Sequence, residues 1–230
     1  MKQGILLLHG FSGGPYEIEP LTAHIRQHME CDIVTPTYCG HGEELSMRGY
    51  KAQHWLMDAE LAYRQLAKRV DEVTVIGFSM GGVIALYLAK RYPVKKLVLL
   101  SAAIKYMSPG QMLMDLREMA GEAVRGHLKN HELFQRYERK LMSVPLSSVV
   151  EFMRIVKKVE PYIEHIAVPT YIIQGEKDGI VPHMAARFLY DTIQAKEKHL
   201  FLSANGTHHI CFSDDCEEWF CEVLEFLCTS

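Results

Sequence analysis

The chain lacks any long apolar segment that would anchor it in a membrane. Near its start the apolar stretch covers only residues 4–8, and His9 and Gly10 follow it directly. A signal-peptide core or a membrane-spanning helix needs a considerably longer run. We therefore predict a cytoplasmic protein with no integral membrane association.

Charge of one predominant sign is also missing. The 230 residues include 25 basic and 28 acidic side chains, which gives a formal net charge of −3, and the basic residues are scattered. A nucleic-acid-binding protein normally carries its basic residues in one patch or stripe. We therefore predict no nucleic-acid partner and expect a small, neutral or apolar molecule as the ligand.

Metal-binding and disulfide patterns are absent as well. The six cysteines show no Cys-x-x-Cys spacing, and no group of His, Asp or Glu has the spacing of metal ligands. A chain of this length buries enough surface to fold without disulfides or a structural metal. We predict free thiols, no metal and no cofactor.

What the sequence does contain is a regular alternation of short apolar runs with longer amphipathic segments. Continuous Val, Ile and Leu runs are typical of parallel strands covered by helices on both faces. The runs lie at 4–8, 32–35, 73–77, 96–101, 170–174 and 199–203. Helical periodicity occupies 20–29, 55–70, 80–92, 182–194 and 214–227. The pattern predicts an α/β protein, and the lack of a Pro/Gly-rich linker predicts one domain over residues 1–230.

A nucleophile motif lies between the third predicted strand and the helix that follows it. Residues 77–82 read Gly-Phe-Ser-Met-Gly-Gly. A sharp turn from strand to helix exposes the hydroxyl of its serine, and glycines at both sides let neighbouring backbone pass closely. The N-terminus of the helix also favours a developing negative charge. Ser79 is the predicted nucleophile.

A serine hydroxyl needs a base, and two adjacent histidines are candidates. Both lie in residues 205–209, Asn-Gly-Thr-His-His, just after the last predicted strand and at the sheet edge where the Ser79 turn emerges. The spacing to the final helix favours His208, while His209 stays an alternative.

The carboxylate that would orient this histidine is predicted to be Asp178. It lies in a turn after the strand at 170–174, and the resulting order Ser79, Asp178, His208 is that of α/β hydrolases. A simple turn-forming role for Asp178 is the plainer interpretation. Other acidic residues that remain open for this role are Glu176, Asp214 and Asp215.

A glycine-rich loop after the first strand supplies a fourth component. Residues 9–15 read His-Gly-Phe-Ser-Gly-Gly-Pro, without the spacing of a nucleotide-binding loop. Flexible backbone there can bring an N–H group toward a developing oxyanion. We assign the two oxyanion donors to the backbone N–H groups of Phe11 and Met80, the latter following the nucleophile.

With these motifs the chain resembles the serine carboxylesterases and monoacylglycerol lipases of the α/β-hydrolase superfamily over nearly its whole length. The resemblance rests on residues 9–13, 40–43, 77–82, 175–182 and 207–208. It implies an α/β-hydrolase fold with Ser79, Asp178 and His208 as nucleophile, orienting acid and general base. Because the chain begins at the strand before the His-Gly loop, it implies a mostly parallel sheet of about six strands.

The rhythm of strands and helices breaks over residues 104–166, where only helical periodicity occurs. An insertion after the strand ending at 101 would cover the nucleophile, so we predict a helical lid. Flexible thioether side chains in it favour an apolar acyl group in the substrate. The predicted substrate-binding residues are His41, Met107, Met112 and Met114.

Together these features predict a serine carboxylesterase that hydrolyses small esters with short to medium acyl chains through an acyl-enzyme. A monoacylglycerol lipase or an acyl-thioesterase would use the same three residues. C–C bond hydrolysis and perhydrolysis stay open, and a non-enzymatic ligand-binding homologue is disfavoured by the intact set of three residues.

Overall fold

The structure is a computed structural model that describes residues 1–104 and 144–229. Its strands are β1 (Gln3–Leu8), β2 (Asp32–Val34), β3 (Glu72–Phe78), β4 (Leu97–Leu100), β5 (Thr170–Gly175) and β6 (Lys198–Ser203). Its helices are α1 (Glu19–His28), α2 (Ala52–Leu66), α3 (Met80–Arg91), α4 (Leu146–Val159), α5 (Met184–Thr192) and α6 (Cys216–Cys228). Short 3-10 helices cover Pro15–Glu17, Glu160–His165 and Ile210–Phe212. None of the helices in these two ranges is long and apolar enough to span a membrane.

The six strands form one sheet in the order β2-β1-β3-β4-β5-β6, and all neighbouring strands run parallel. The predicted α/β fold with a parallel sheet of about six strands is therefore confirmed. The six predicted strands and the five helices predicted outside the insertion at 104–166 are present, with ends shifted by a few residues. The largest shift is in α2, which occupies Ala52–Leu66 in place of the predicted 55–70.

Successive strand residues face opposite sides of the sheet, and each side has its own apolar core. In β1, Ile5 and Leu7 pack with α1 and α6, whereas Leu6 and Leu8 pack with α2, α3, α4 and α5. Coverage on both faces explains why the strand sequences are continuously apolar.

The order of the strands reverses at β1, which lies between β2 and β3. In such sheets ligands bind outside the carboxyl ends of the strands at the reversal. Leu8 at the end of β1 pairs with Gly77 near the end of β3. The loop that begins at His9 and the turn that holds Ser79 therefore leave adjacent strand ends on the same sheet edge.

Of the predicted insertion at 104–166, the structure describes Ile104 and residues 144–166. There α4 and the 3-10 helix Glu160–His165 are helical, as the periodicity indicates. The apolar side of α4, including Val149, Phe152 and Val156, is buried in the core that also holds α2 and α3. Residues 105–143, with Met107, Met112 and Met114, lie outside the described residues, so the lid stays a prediction.

Candidate active site

Ser79 occupies a sharp turn between β3 and α3. Its φ and ψ are 53° and −115°, a conformation that L-residues rarely adopt. Backbone hydrogen bonds hold it on both sides, because its N–H donates to Leu100 (2.9 Å) and its carbonyl accepts from Gly82 (3.0 Å) and Ala103 (3.2 Å). The turn projects the side chain away from the strand at the carboxyl edge of the sheet.

Two glycines make this turn sterically possible. A Cβ atom on Gly77 would lie 2.3 Å from the carbonyl oxygen of Gly81. A Cβ on Gly81 would lie 2.2 Å from the carbonyl oxygen of Leu8 at the end of β1. Because both contacts are with backbone, neither position has room for a side chain.

His208 lies between the serine and a carboxylate. Its Nε2 is 3.0 Å from the Oγ of Ser79, and its Nδ1 is 2.9 Å from Oδ2 of Asp178. All three residues are buried: Ser79 is 6% exposed, His208 4% and Asp178 9%. Water therefore screens their interactions weakly. An ionised carboxylate only accepts hydrogen bonds, so Nδ1 donates to it and Nε2 is left to accept the serine proton.

Asp178 is held as an anion by its surroundings. Burial by itself raises the pKa of this carboxyl group, but His208 and the N–H groups of Val181 and Ile180 together lower the pKa below its usual 3.8. Both N–H groups donate to Oδ1 at 2.8 Å. Gln174 adds a donor, because its Nε2 lies 2.9 Å from Oδ2. The carboxylate can therefore hold the imidazole in one tautomer and stabilise an imidazolium.

The loop after β1 is fixed by His9. Its Nε2 accepts the N–H of Tyr38 (3.3 Å), so the proton resides on Nδ1, which donates to the carbonyl of Gly10 at 2.8 Å. Burial lowers the pKa of His9, while Glu17 and the Gly10 carbonyl oppose that effect. The bond fixes the peptide plane between Gly10 and Phe11, and a trans peptide directs the N–H of Phe11 to the opposite side from the Gly10 oxygen.

Neither of the two predicted oxyanion donors donates a hydrogen bond within the described part of the chain. Within residues 1–104 and 144–229, the backbone N–H groups of Phe11 and Met80 donate to no protein acceptor. Met80 is the first residue of α3, where free N–H groups are expected. The two groups stand at the adjacent ends of β1 and β3, which suits binding of an anionic oxygen.

The ring of His41 packs beside this loop. Its ring meets Trp55 edge-on at 5.2 Å between centroids and Phe11 at 6.1 Å. Burial and the neighbouring His9 lower its pKa to about 3, against a smaller opposing effect of its hydrogen bond to Cys39. His41 is therefore neutral near pH 7, and its role toward a substrate stays a prediction.

The alternative base and the alternative acidic residues predicted from the sequence have other partners or are exposed. His209 Nε2 is 3.4 Å from Oε1 of Glu17. Asp215 accepts a hydrogen bond from Ser203, and Glu176 and Asp214 are exposed.

Sequence reasoning missed two buried polar residues, Gln174 and Glu17. Gln174 interrupts the apolar run of β5 at its last positions, which is a signal that was available. Glu17 ends the short helix Pro15–Glu17, and acidic residues are usually exposed, so nothing in the sequence marked it.

Comparison with known proteins identifies the family of the chain. A family model described as "Serine aminopeptidase, S33" matches residues 1–215. The chain belongs to this family of α/β hydrolases. This hydrolase is 27% identical to a thermostable monoacylglycerol lipase of Bacillus sp. (strain H-257) over 210 residues. The matched region covers 89% of the chain and 82% of that relative. It is 24% identical to a carboxylesterase of Bacillus subtilis (strain 168), over 98% of the chain and 92% of the relative.

Solved structures show the same fold. A structure reported for the metagenome-derived lipolytic enzymes LipS and LipT superposes with a TM-score of 0.79 at 24% identity, covering 98% of this hydrolase and 93% of that chain. An esterase from Exiguobacterium antarcticum superposes with a TM-score of 0.76 at 20% identity, covering 99% and 92%.

The lowered pKa of Asp178 predicts a pH-dependent contribution to stability. A carboxylate whose pKa is lower in the folded protein stabilises the fold above its unfolded pKa, near 3.8, and this stabilisation disappears as the pH falls through the folded value. Asp178→Asn should therefore lower the free energy of unfolding by about 1.5–3 kcal/mol at neutral pH, the range for hydrogen bonds to charged groups. Urea unfolding of both proteins from about pH 7 to about pH 3 measures the difference.

The difference should shrink below about pH 4. A difference that stays constant with pH would contradict an ionised, hydrogen-bonded Asp178. Asp214→Asn removes a carboxylate that is exposed and should unfold like the wild type, which makes it the matched control.

Proposed function

We propose that this hydrolase is a serine carboxylesterase that cleaves small carboxylic esters through an acyl-enzyme on Ser79. The observation that carries the proposal is the continuous chain of contacts from Ser79 Oγ to His208 Nε2 at 3.0 Å and from His208 Nδ1 to Asp178 at 2.9 Å. Nucleophile, base and orienting acid are all within hydrogen-bonding reach. The carboxylesterase and monoacylglycerol lipase relatives support the same reaction class.

In the first half-reaction Ser79 Oγ attacks the ester carbonyl carbon while His208 Nε2 takes the hydroxyl proton. The carbonyl oxygen becomes an oxyanion, and the imidazolium is stabilised by Asp178. When the intermediate collapses, the bond to the alcohol oxygen breaks and His208 gives its proton to the leaving alcohol. Water then attacks the acyl-enzyme by the same route, with His208 as base and Ser79 as leaving group.

The backbone N–H groups of Phe11 and Met80 are the proposed donors to the oxyanion. They belong to structure that is already fixed, since Met80 begins a helix and His9 holds the peptide before Phe11. Preorganised donors of this kind cost no rearrangement during the reaction, and each contributes on the order of 3 kcal/mol to transition-state stabilisation.

The acyl group is proposed to be short to medium in length. We propose that it lies against apolar side chains near the loop at residues 9–15, named here the oxyanion loop. The ring of Phe11 stacks on Phe152 of α4 at 5.5 Å and meets Trp55 at 5.9 Å. His41 adjoins the same group, and we propose that it contacts substrate. Met107, Met112 and Met114 of the proposed lid would supply further apolar contacts.

Replacement of the nucleophile tests the proposal. Ser79→Ala should reduce kcat for p-nitrophenyl esters by on the order of 10⁴–10⁶-fold, because the covalent route is lost. The same variant should fail to react with a fluorophosphonate probe that labels the wild-type protein. Circular dichroism and thermal unfolding check that the variant is folded.

Ser101→Ala is the matched control for Ser79→Ala. Ser101 is also buried at the end of a strand with a positive φ of 44°, but its Oγ has no hydrogen-bond partner in the described part of the chain. This variant should keep both turnover and labelling. Labelling of folded Ser79→Ala at the wild-type rate would refute the assignment of the nucleophile.

An acyl-chain series tests the proposed substrate class. With p-nitrophenyl esters from acetate to laurate, kcat/KM should peak at short to medium chains and fall by at least about tenfold toward laurate, as a pocket of limited depth discriminates by size. Monoacylglycerols and acyl-thioesters are assayed beside them. A kcat/KM that is higher for either of these classes would replace carboxylesterase by monoacylglycerol lipase or acyl-thioesterase.

A further inference from the structure

Glu17 places a buried carboxylate between two loops of the candidate active site. It is 2% exposed and ends the short helix Pro15–Glu17. Its Oε2 accepts the backbone N–H of Gly10 at 2.9 Å, and its Oε1 lies 3.4 Å from Nε2 of His209. One oxygen therefore contacts the oxyanion loop and the other contacts the residue after His208.

This carboxylate is an anion near pH 7. Burial raises the pKa of Glu17, but the hydrogen bond and charge of His209 and the Gly10 N–H oppose that effect, and the pKa lies below its usual value. A buried charge is costly unless it is paired, and its loss leaves its partners unsatisfied.

The oxyanion loop is shaped around the Glu17 side chain. A Cβ atom on Gly13 would lie 1.9 Å from Oε2 of Glu17, and one on Gly10 would lie 3.2 Å from the same atom. The loop thus approaches the carboxylate so closely that Gly13 has no room for a side chain while the carboxylate keeps this position.

Gly10 is fixed through both of its peptide groups, the one with His9 and the one with Phe11. Glu17 accepts its N–H, and His9 Nδ1 donates to its carbonyl at 2.8 Å. The next peptide N–H along the chain belongs to Phe11, one of the proposed oxyanion donors. A change in the position of the carboxylate would therefore alter the direction of that donor.

The second oxygen of Glu17, Oε1, lies next to the loop that carries the proposed general base His208. His208 and His209 are neighbours, and both rings pack on Phe78, at 5.1 Å and 5.6 Å between centroids. With His209 held by Glu17, the backbone that carries His208 is linked to the oxyanion loop through one carboxylate.

We propose that Glu17, paired with His209, is a positioning residue. It fixes the oxyanion donor Phe11 and the base His208 at the relative positions that the reaction needs. The role rests on the proposed esterase function. It acts through other groups and does not touch the substrate, so its loss should affect transition-state stabilisation more than substrate binding.

Glu17→Gln tests this role with little change in size. The amide keeps one acceptor oxygen and has an NH2 donor in place of the other oxygen, so it cannot accept hydrogen bonds from both Gly10 and His209. We expect kcat on a p-nitrophenyl ester to fall by about 10²-fold, the cost of a small misplacement in an active site. KM should stay within about threefold, because ground-state binding is retained.

A readout specific to positioning is the affinity for an alkylboronic acid. The boronate forms a tetrahedral adduct with the serine and needs the same oxyanion donors as the transition state. Its affinity should fall in Glu17→Gln by a factor similar to that in kcat/KM. An unchanged boronate affinity, or a kcat within twofold of wild type in the folded variant, would overturn the proposal.

His209 variants keep the test decisive if Glu17→Gln does not fold. His209→Gln retains an amide N–H near the position of Nε2, whereas His209→Leu retains none. The leucine variant should lose about tenfold in kcat and the glutamine variant should recover most of it, roughly the effect of one lost hydrogen bond. Equal kcat values in the two variants would contradict the proposal.

A surface His–Glu pair provides the matched control. His199 Nε2 lies 3.4 Å from Oε1 of Glu197, the same separation as in the buried pair, but both side chains are substantially exposed. His199→Gln should leave kcat unchanged. Because Ser79→Ala tests the esterase function separately, an inactive Ser79→Ala beside a fully active Glu17→Gln would overturn only the positioning role.

Discussion

Ser79 holds a backbone conformation that costs a non-glycine residue on the order of 1–3 kcal/mol, and the sheet around it must supply that energy. Hydrogen bonds of the Ser79 N–H and carbonyl with β4, α3 and the segment after β4 offset this cost. The glycines at 77 and 81 remove the steric part of the cost. A hydroxyl presented by so constrained a backbone has little freedom to move away from His208.

The topology brings distant residues to this turn. Parallel strands place all their carboxyl ends on one edge, and the reversal at β1 puts the oxyanion loop beside the serine. Further along the edge, the loops after β5 and β6 carry Asp178 and His208. The polar side chains buried there are joined by hydrogen bonds, which is how a low-dielectric site tolerates an anion such as Asp178.

The sequence predicts the parts of this arrangement that are encoded locally. Apolar runs predict the strands, and the Gly-x-Ser-x-Gly spacing between a strand and a helix predicts the turn at Ser79. The parallel direction of the strands then predicts that the loops at their carboxyl ends share one edge of the sheet.

Groups defined by tertiary contacts escaped this reasoning. The spacing to the final helix favours His208 over His209, but only the three-dimensional contacts show that His208 faces Ser79 and His209 faces Glu17. Gln174 contacts Asp178 in the loop after its own strand, and Glu17 contacts Gly10 and the distant His209. Neither residue belongs to a spacing pattern. The predicted lid methionines lie in residues 105–143, outside the described residues.

A crystal structure of the protein after reaction with diethyl p-nitrophenyl phosphate tests the central claim most directly, because the adduct mimics the tetrahedral intermediate. We expect the phosphorus to be bonded to Ser79 Oγ, with one phosphoryl oxygen about 3 Å from the backbone nitrogens of both Phe11 and Met80. Phosphorus on a different residue, or a phosphoryl oxygen directed away from these two nitrogens, would contradict the account.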